Sequence, residues 1–280
     1  MKVSFLGPEG TFSEEALLAN AEAGAIEPLP MPTIYDCVIA VRNATAQRAL
    51  VPIENSLEGS VNSTLDALVF ETDNVRIVGE LVHPIRHCLI AKRPVELSQI
   101  ARVVSHPQAT AQCARFLREQ LSGVEVVSAS STADAVRVVA ESEQPWAALG
   151  NALSAEIYGC QVLRDRVEDA AGNETRFVWL SLDEPRRPSD PGSKGFWKTS
   201  IVFWGLPDKP GALVEALKEF ADRGVNLSKI ESRPRKQGLG RYVFFADLEG
   251  AESDDAIVDA LSAVRGSVET LRILGCYPAA

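Results

Sequence analysis

Gly172-Asn173-Glu174-Thr175-Arg176-Phe177-Val178-Trp179-Leu180 runs from a polar cluster straight into an apolar, aromatic segment. Gly and Asn favour a turn, and Phe, Val, Trp and Leu are residues that fill strands, so the stretch reads as a loop feeding a buried strand. Thr175 and Arg176 then lie at the strand's mouth. Ligands commonly bind there in open α/β sheets, because rigid backbone holds polar groups at a cleft. Thr175 offers a hydroxyl donor, and Arg176 a planar, permanently charged guanidinium suited to carboxylates. Alone, such a pair is more often a turn residue and a solvated charge, so the rest of the chain decides.

Outward from this strand, other apolar runs also end in polar mouths. Val3 to Leu6 stops at Gly7-Pro8-Glu9-Gly10, and Thr11 and Ser13 lead into a helix whose free amides suit an anion. Arg48 to Ile53 runs into Glu54-Asn55-Ser56, and a helix follows from about Ser63 to Phe70. Capping accounts for Asn62 or Ser63 and for Asp66, but not for Glu54, Asn55, Ser56 and Ser60, which read as ligand-facing. Arg102 to Val104 ends at Ser105-His106-Pro107-Gln108, with Gln112 on the helix beyond, and Ser131 to Asp134 resembles a capping box. The alternation of strands and helices predicts α/β layers with mostly parallel sheets and four polar strand ends on one cleft. His83 and His87 are four apart, but Pro84 and the β-rich surroundings deny them a helix. Both read as ordinary strand or loop histidines rather than metal ligands.

With 280 residues, 46% hydrophobic and 24% charged, the chain has ordinary globular composition and length for two domains. A net charge of −10 argues against nucleic acid and anionic membranes as partners, and means that an anionic substrate must be attracted locally. Five scattered cysteines with no C-x-x-C pair predict free thiols in a reducing cytosol. No apolar leader or membrane-length segment is legible, so a cytoplasmic protein is expected. Residues 185–198, rich in Pro, Gly, Ser and charge, read as a linker between a first domain (1–184) and a second (199–280). The second has the order βαββαβ, the ferredoxin-like arrangement, with a bare sheet edge that invites self-pairing.

GPEGTFSEEA (7–16), PIENSLEGSVNSTLD (52–66), SHPQATAQC (105–113) and NETRF (173–177), in this order, resemble prephenate dehydratase, and GALV (211–214) with ESRP (231–234) resembles its regulatory ACT domain. The resemblance spans nearly the whole chain and is to the form without a fused mutase segment. It implies a two-lobed catalytic domain like a periplasmic binding protein, followed by a ferredoxin-like ACT domain. The implied reaction converts prephenate to phenylpyruvate, water and carbon dioxide, with no metal or organic cofactor. Carried over by motif, Thr175 is the main catalytic residue, with Glu54, Asn55, Ser105 and Gln112 in the site. Thr11, Ser56, Ser60, Arg176 and Phe177 are expected at the substrate, with Arg176 on a carboxylate and Glu54 either in a proton relay or only orienting Asn55. L-phenylalanine is expected between two ACT domains at Gly211, Ala212, Leu213, Val214, Asn226, Glu231, Ser232 and Arg233, giving feedback inhibition in a homodimer or homotetramer. The rivals are arogenate dehydratase, which acts on the aminated substrate, and an amino-acid-sensing binding protein without chemistry.

Overall fold

The structure, a computed structural model, describes residues 1–20, 22, 24–183 and 196–280. Most of the expected linker, 185–198, lies outside the described residues.

The first lobe contains β1 (Lys2–Leu6), α1 (Phe12–Ala19), β2 (Glu27–Met31), α2 (Ile34–Arg42), β3 (Arg48–Asn55), β4 (Gly59–Ser60), α3 (Asn62–Phe70) and β5 (Arg76–Pro84). The chain then crosses into a second lobe of β6 (Cys88–Ala91), a short 3-10 turn, β7 (Arg102–Ser105), α4 (Pro107–Gln112), α5 (Ala114–Gln120), β8 (Glu125–Ser128), α6 (Thr132–Glu141), β9 (Trp146–Gly150), α7 (Ala152–Ile157) and β10 (Gln161–Arg164). It returns to the first lobe as β11 (Glu174–Ser181), the strand of the opening stretch. The first sheet is ordered β2-β1-β3-β11-β5, with β4 beside β3, and the second β10-β6-β9-β7-β8. Neither is mostly parallel. β11 enters antiparallel between β3 and β5, and β6 pairs antiparallel with both β9 and β10. A strand that arrives from the other lobe is not held to the parallel direction that a helical crossover within one sheet imposes.

Alternation along β11 sorts the core. Phe177 and Trp179 pack with Phe5, Leu17 and Leu50 under α1, while Val178 and Leu180 pack with Val38, Val51 and Leu68 under α2 and α3. Gly10 (φ 83°) brings the loop before α1 against the second lobe: a Cβ there would lie 3.2 Å from the Ser154 Cα, and Tyr158 Oη donates to the Glu9 carbonyl at 3.0 Å.

The C-terminal unit is β12 (Trp197–Trp204), α8 (Ala212–Ala221), β13 (Leu227–Pro234), β14 (Tyr242–Glu249), α9 (Asp255–Arg265) and β15 (Thr270–Pro278). Its antiparallel sheet, β13-β14-β12-β15, has the ferredoxin-like order with both helices on one face. The other face, through Val202, Val243, Phe245, Leu274 and Tyr277, joins the core of the first lobe. Gly275 permits the contact, since a Cβ there would stand 2.1 Å from the Ile77 carbonyl oxygen. Arg272 finishes α3 from across the interface, donating to the carbonyls of Leu68, Val69 and Thr72 at 3.3, 3.0 and 2.8 Å.

All five cysteines are free thiols. Burial pushes Cys37 and Cys88 up to about 12 and raises Cys113 and Cys276 as well, so thiolate is scarce at each. Burial raises Cys160 too, but it is half-buried rather than buried. Titration of the native chain with an aromatic disulfide at pH 8 is therefore expected to label Cys160 first, and the other four only on unfolding. Fast labelling of Cys37 or Cys113 in the native state would contradict this packing.

Candidate active site

A cleft of about 500 Å³ lies between the lobes. Asn55 and Thr175 lie side by side in its wall as a cross-strand pair of β3 and β11, and the adjacent pair, Glu54 and Arg176, turns to the opposite face. A bulge sets this division. Arg176 lies opposite Glu54 but Phe177 lies opposite Pro52, so Ile53 is the extra residue and two consecutive side chains, Ile53 and Glu54, leave the cleft. Pro52, Asn55, Thr175 and Phe177 remain in its wall.

Asn55 is fixed by the backbone. Its Oδ1 accepts from the amides of Leu57 and Glu58, each at 3.0 Å, which turns Nδ2 toward Thr175 Oγ1 at 3.0 Å and Asn173 Oδ1 at 2.8 Å. The Thr175 hydroxyl thus accepts a hydrogen bond, and it gives its own hydrogen to no group among the described residues. Asn173 Nδ2 continues to Gln112 Oε1 at 2.9 Å, and Gln112 Nε2 donates to Glu58 Oε1 at 3.2 Å. Gln112 comes from α4 of the second lobe, so this amide chain ties the lobes together behind Thr175.

Thr11 and Ser13 at the start of α1 line the cleft from the first lobe, and Ser130, Ser131 and Thr132 at the start of α6 line it from the second. Both helix N-termini carry partial positive charge. Among the described residues, none of the lining side chains is Lys, Arg, Asp or Glu. No group of three His, Cys, Asp or Glu side chains among the described residues is arranged to hold a metal.

Of the residues expected from sequence, Thr175, Asn55, Gln112, Thr11 and Phe177 meet in the cleft. Five do not. Arg176 points out of the back of the sheet, with Nη2 3.1 Å from Glu54 and Nη1 3.0 Å from Glu80 and 2.8 Å from Asp247 of the C-terminal unit. Strand alternation forbids it from sharing a face with Thr175, so it holds no carboxylate in the cleft. Glu54 is paired with Arg176 and, at 3.1 Å, with Lys229, which removes it from any relay in the cleft. Ser105 is fully buried and donates to the Leu149 carbonyl at 3.0 Å. Ser56 binds the return loop through Gly172 O and Glu174 N, and Ser60 sits at the C-terminal unit between Lys229 and Glu231. In their place the cleft takes His87, His106, Asn173 and the hydroxyls before α6. Asn173 reads as a turn former and Ser131 as a cap, and both do have those roles, which hides the second use in sequence.

In the C-terminal unit Gly211 (φ 86°) caps α8, Ala212 and Leu213 pack inward, and Val214 is 68% exposed. Glu231 bonds Ser60, Arg233 makes a two-pronged pair with Asp66, and Ser232 is exposed on the alternate face of β13. Asn226 is exposed before β13, its carbonyl accepting from Glu249 N. Among the described residues no hydrogen bond joins residues 211–214 to 226–233.

Residues 3–185 match the family description "Prephenate dehydratase" and residues 199–266 "ACT domain". The prephenate dehydratase of Mycobacterium marinum is 37% identical, over 99% of this chain and 88% of its own length. A crystal structure of the prephenate dehydratase of Arthrobacter aurescens in complex with L-Phe is 40% identical with a TM-score of 0.88, covering 99% of this chain and 90% of that one. A solved structure of GqqA, described as a novel type of quorum quenching acylase, is 31% identical with a TM-score of 0.86, covering 100% and 98%. A two-lobed α/β unit with the Asn55–Thr175 pair in its cleft and an ACT domain packed behind it accompanies these matches, and the chain belongs to the prephenate dehydratase family.

Proposed function

We propose that the cleft removes carbon dioxide and water from prephenate, giving phenylpyruvate. The observation that carries this is the Thr175 hydroxyl, oriented as an acceptor from Asn55 with its hydrogen left for a ligand. In the elimination the electron pair of the breaking C–CO2 bond enters the ring, the ring C–O bond breaks, and the hydroxide takes one proton to leave as water. Aromatisation drives the step, so the protein has to stabilise charge on the departing oxygen. One preorganised donor in a dry site typically supplies ~3 kcal/mol of that. The two carboxylates of the substrate go to the N-termini of α1 and α6, one from each lobe, which supplies local attraction in a chain of net charge −10. A nucleophilic, acylase-like use of Thr175 is disfavoured because its partner is an amide donor rather than a base.

The absence of a carboxylate from the lining side chains among the described residues also bears on arogenate, whose ammonium group would find no side-chain counter-ion among them. Leaving a buried donor unpaired costs about 1–3 kcal/mol, and more when it is charged, so kcat/KM is expected to favour prephenate by at least ~5-fold. Parallel assays of product formation from the two substrates test both statements. Preference for arogenate would move the substrate, and turnover of neither would leave the cleft as a binding site.

L-phenylalanine is the effector that suits the C-terminal unit, held between two copies that meet at the free edge of β13, with Gly211–Val214 and Asn226 on its rim. The L-Phe complex of the Arthrobacter relative supports this reading. A biosynthetic enzyme of this kind works in the cytoplasm, and no helix among the described residues is long and apolar enough to cross a membrane.

A further inference from the structure

His87 lies on the first crossing between the lobes, three residues past the end of β5, and the residue is 3% exposed while lining the cleft. Phe12 packs edge-on against it at 5.3 Å. Its backbone is pinned on both sides to the second crossing, the amide to Glu168 Oε2 at 2.9 Å and the carbonyl to Val167 N at 2.9 Å. Nε2 lies 3.0 Å from Gln112 Oε1, and Nδ1 is buried without a partner among the described residues.

The hydrogen-bond polarity of this cluster is determined from its far end. Backbone amides can only donate, so Leu57 and Glu58 fix Asn55 Oδ1 as an acceptor. Asn55 Nδ2 then donates to Asn173 Oδ1, Asn173 Nδ2 donates to Gln112 Oε1, and Gln112 Nε2 is left for the Glu58 carboxylate. The nitrogen that faces Gln112 Oε1 from His87 must therefore carry a hydrogen. A bare Nε2 would draw the Gln112 amide round, set its NH2 against that of Asn173, and pass the conflict on to Asn55.

We propose that His87 is a positioning residue of this cleft: a neutral imidazole protonated at Nε2, it locks the Gln112–Asn173–Asn55 chain in the one polarity that makes Thr175 an acceptor and frees the Thr175 hydrogen for the substrate. The proposal deepens the dehydratase reading and rests on it for its kinetic part. Burial lowers the imidazole's affinity for a proton, which agrees with a neutral ring. The bare Nδ1 agrees as well, since a second N–H would find no acceptor there.

Two measurements on the full chain test it. The first is 15N NMR of histidine-labelled protein without substrate at neutral pH, with the His87 signals identified by their loss in His87→Gln. Protonated Nε2 and bare Nδ1 are expected, and the opposite tautomer would overturn the proposal. The second compares His87→Leu with His87→Gln, whose side-chain N–H reaches the place of Nε2. Misplaced catalytic groups cost up to ~100-fold, so kcat on prephenate is expected to fall ~10–100-fold in His87→Leu with KM within about threefold, and to return to within about fivefold in His87→Gln. Equal loss in both variants, or no loss in His87→Leu, would also overturn it. If His87→Leu does not fold, the Gln variant and the tautomer decide. If the wild-type chain does not turn over prephenate, the dehydratase reading falls, and the tautomer, which needs no substrate, still decides how His87 is arranged.

Discussion

Replacing Thr175 by valine is expected to lower kcat for phenylpyruvate formation by ~10²–10³-fold with KM within about threefold, the loss typical of removing one preorganised donor to a developing oxyanion. Valine has nearly the shape of threonine, is at home in a strand, and takes a position that is 8% exposed, so the fold should hold. Asn55 keeps its bonds to Asn173 Oδ1 and to the Glu174 carbonyl, which limits the cost of losing the hydroxyl it donates to. Thr175→Ser should retain most of the rate, because its hydroxyl can reach the same point. Steady-state kinetics on both variants reads the result. A Thr175→Val enzyme with unchanged kcat and a raised KM would make the hydroxyl a ground-state contact, and the elimination would need another donor.

The parts of this site that sequence makes legible are those that follow local rules. The loop-to-strand reading of GNETRFVWL places Thr175 at the end of β11, and the polar ends of the strands at Asn55 and before Gln112 do converge with Thr11 on one cleft. The exclusion of Arg176 was also legible, since period-2 alternation cannot bring adjacent strand residues to one face. The pull of a guanidinium toward a carboxylate substrate obscures it. Glu54 was not legible. Alternation from Pro52 puts Glu54 into the cleft, and only the bulge at Ile53, a feature of pairing with β11, turns it out and brings Asn55 in. Nor does sequence show that β11 is antiparallel, because that depends on its return from the second lobe. His87 and Asn173 gain their importance only where the two crossings meet, 86 positions apart in the chain, and neither flanking pattern marks them.

Asp247→Asn is expected to destabilise the chain by about 3 kcal/mol, at the low end for breaking a buried ion pair, and to weaken inhibition by L-phenylalanine. Asp247 of the ACT domain forms an ion pair with Arg176 on the strand that carries Thr175. Its Oδ2 is 2.8 Å from Arg176 Nη1, and its Oδ1 accepts from Ser200 at 2.6 Å, with Tyr277 Oη 2.7 Å from the same hydroxyl. Around this pair, Glu80 bridges Arg176 and Lys198, and Glu54 bridges Arg176 and Lys229. Among the described residues three cations and three carboxylates meet here, with Arg176, Glu80 and Asp247 nearly out of solvent. Burial, the largest single influence, would lower the Arg176 pKa, but Asp247, Tyr277 and Glu80 together outweigh it and hold the guanidinium charged. In Asp247→Asn the shape and the Ser200 bond can persist, but the charge facing Arg176 is gone and an amide NH2 competes for its place. Glu80 and Glu54 still compensate part of the charge, which sets the estimate low. Chemical denaturation measures the stability term. The regulatory term rests on the proposed inhibition by L-phenylalanine: Thr175 and Arg176 are consecutive on β11 and face opposite sides, so a shift of β14 against Arg176 would reach the backbone that aims the Thr175 hydroxyl. Coupling between effector and active site typically amounts to ~1–3 kcal/mol, so losing it should raise the phenylalanine needed for half-inhibition by ~5–150-fold. A variant that is less stable yet keeps wild-type sensitivity to phenylalanine would show that the network holds the domains together without carrying the signal, and would shift attention to the ion pairs between them outside it, Arg233 and Lys236 with Asp66 and Arg272 with Asp73.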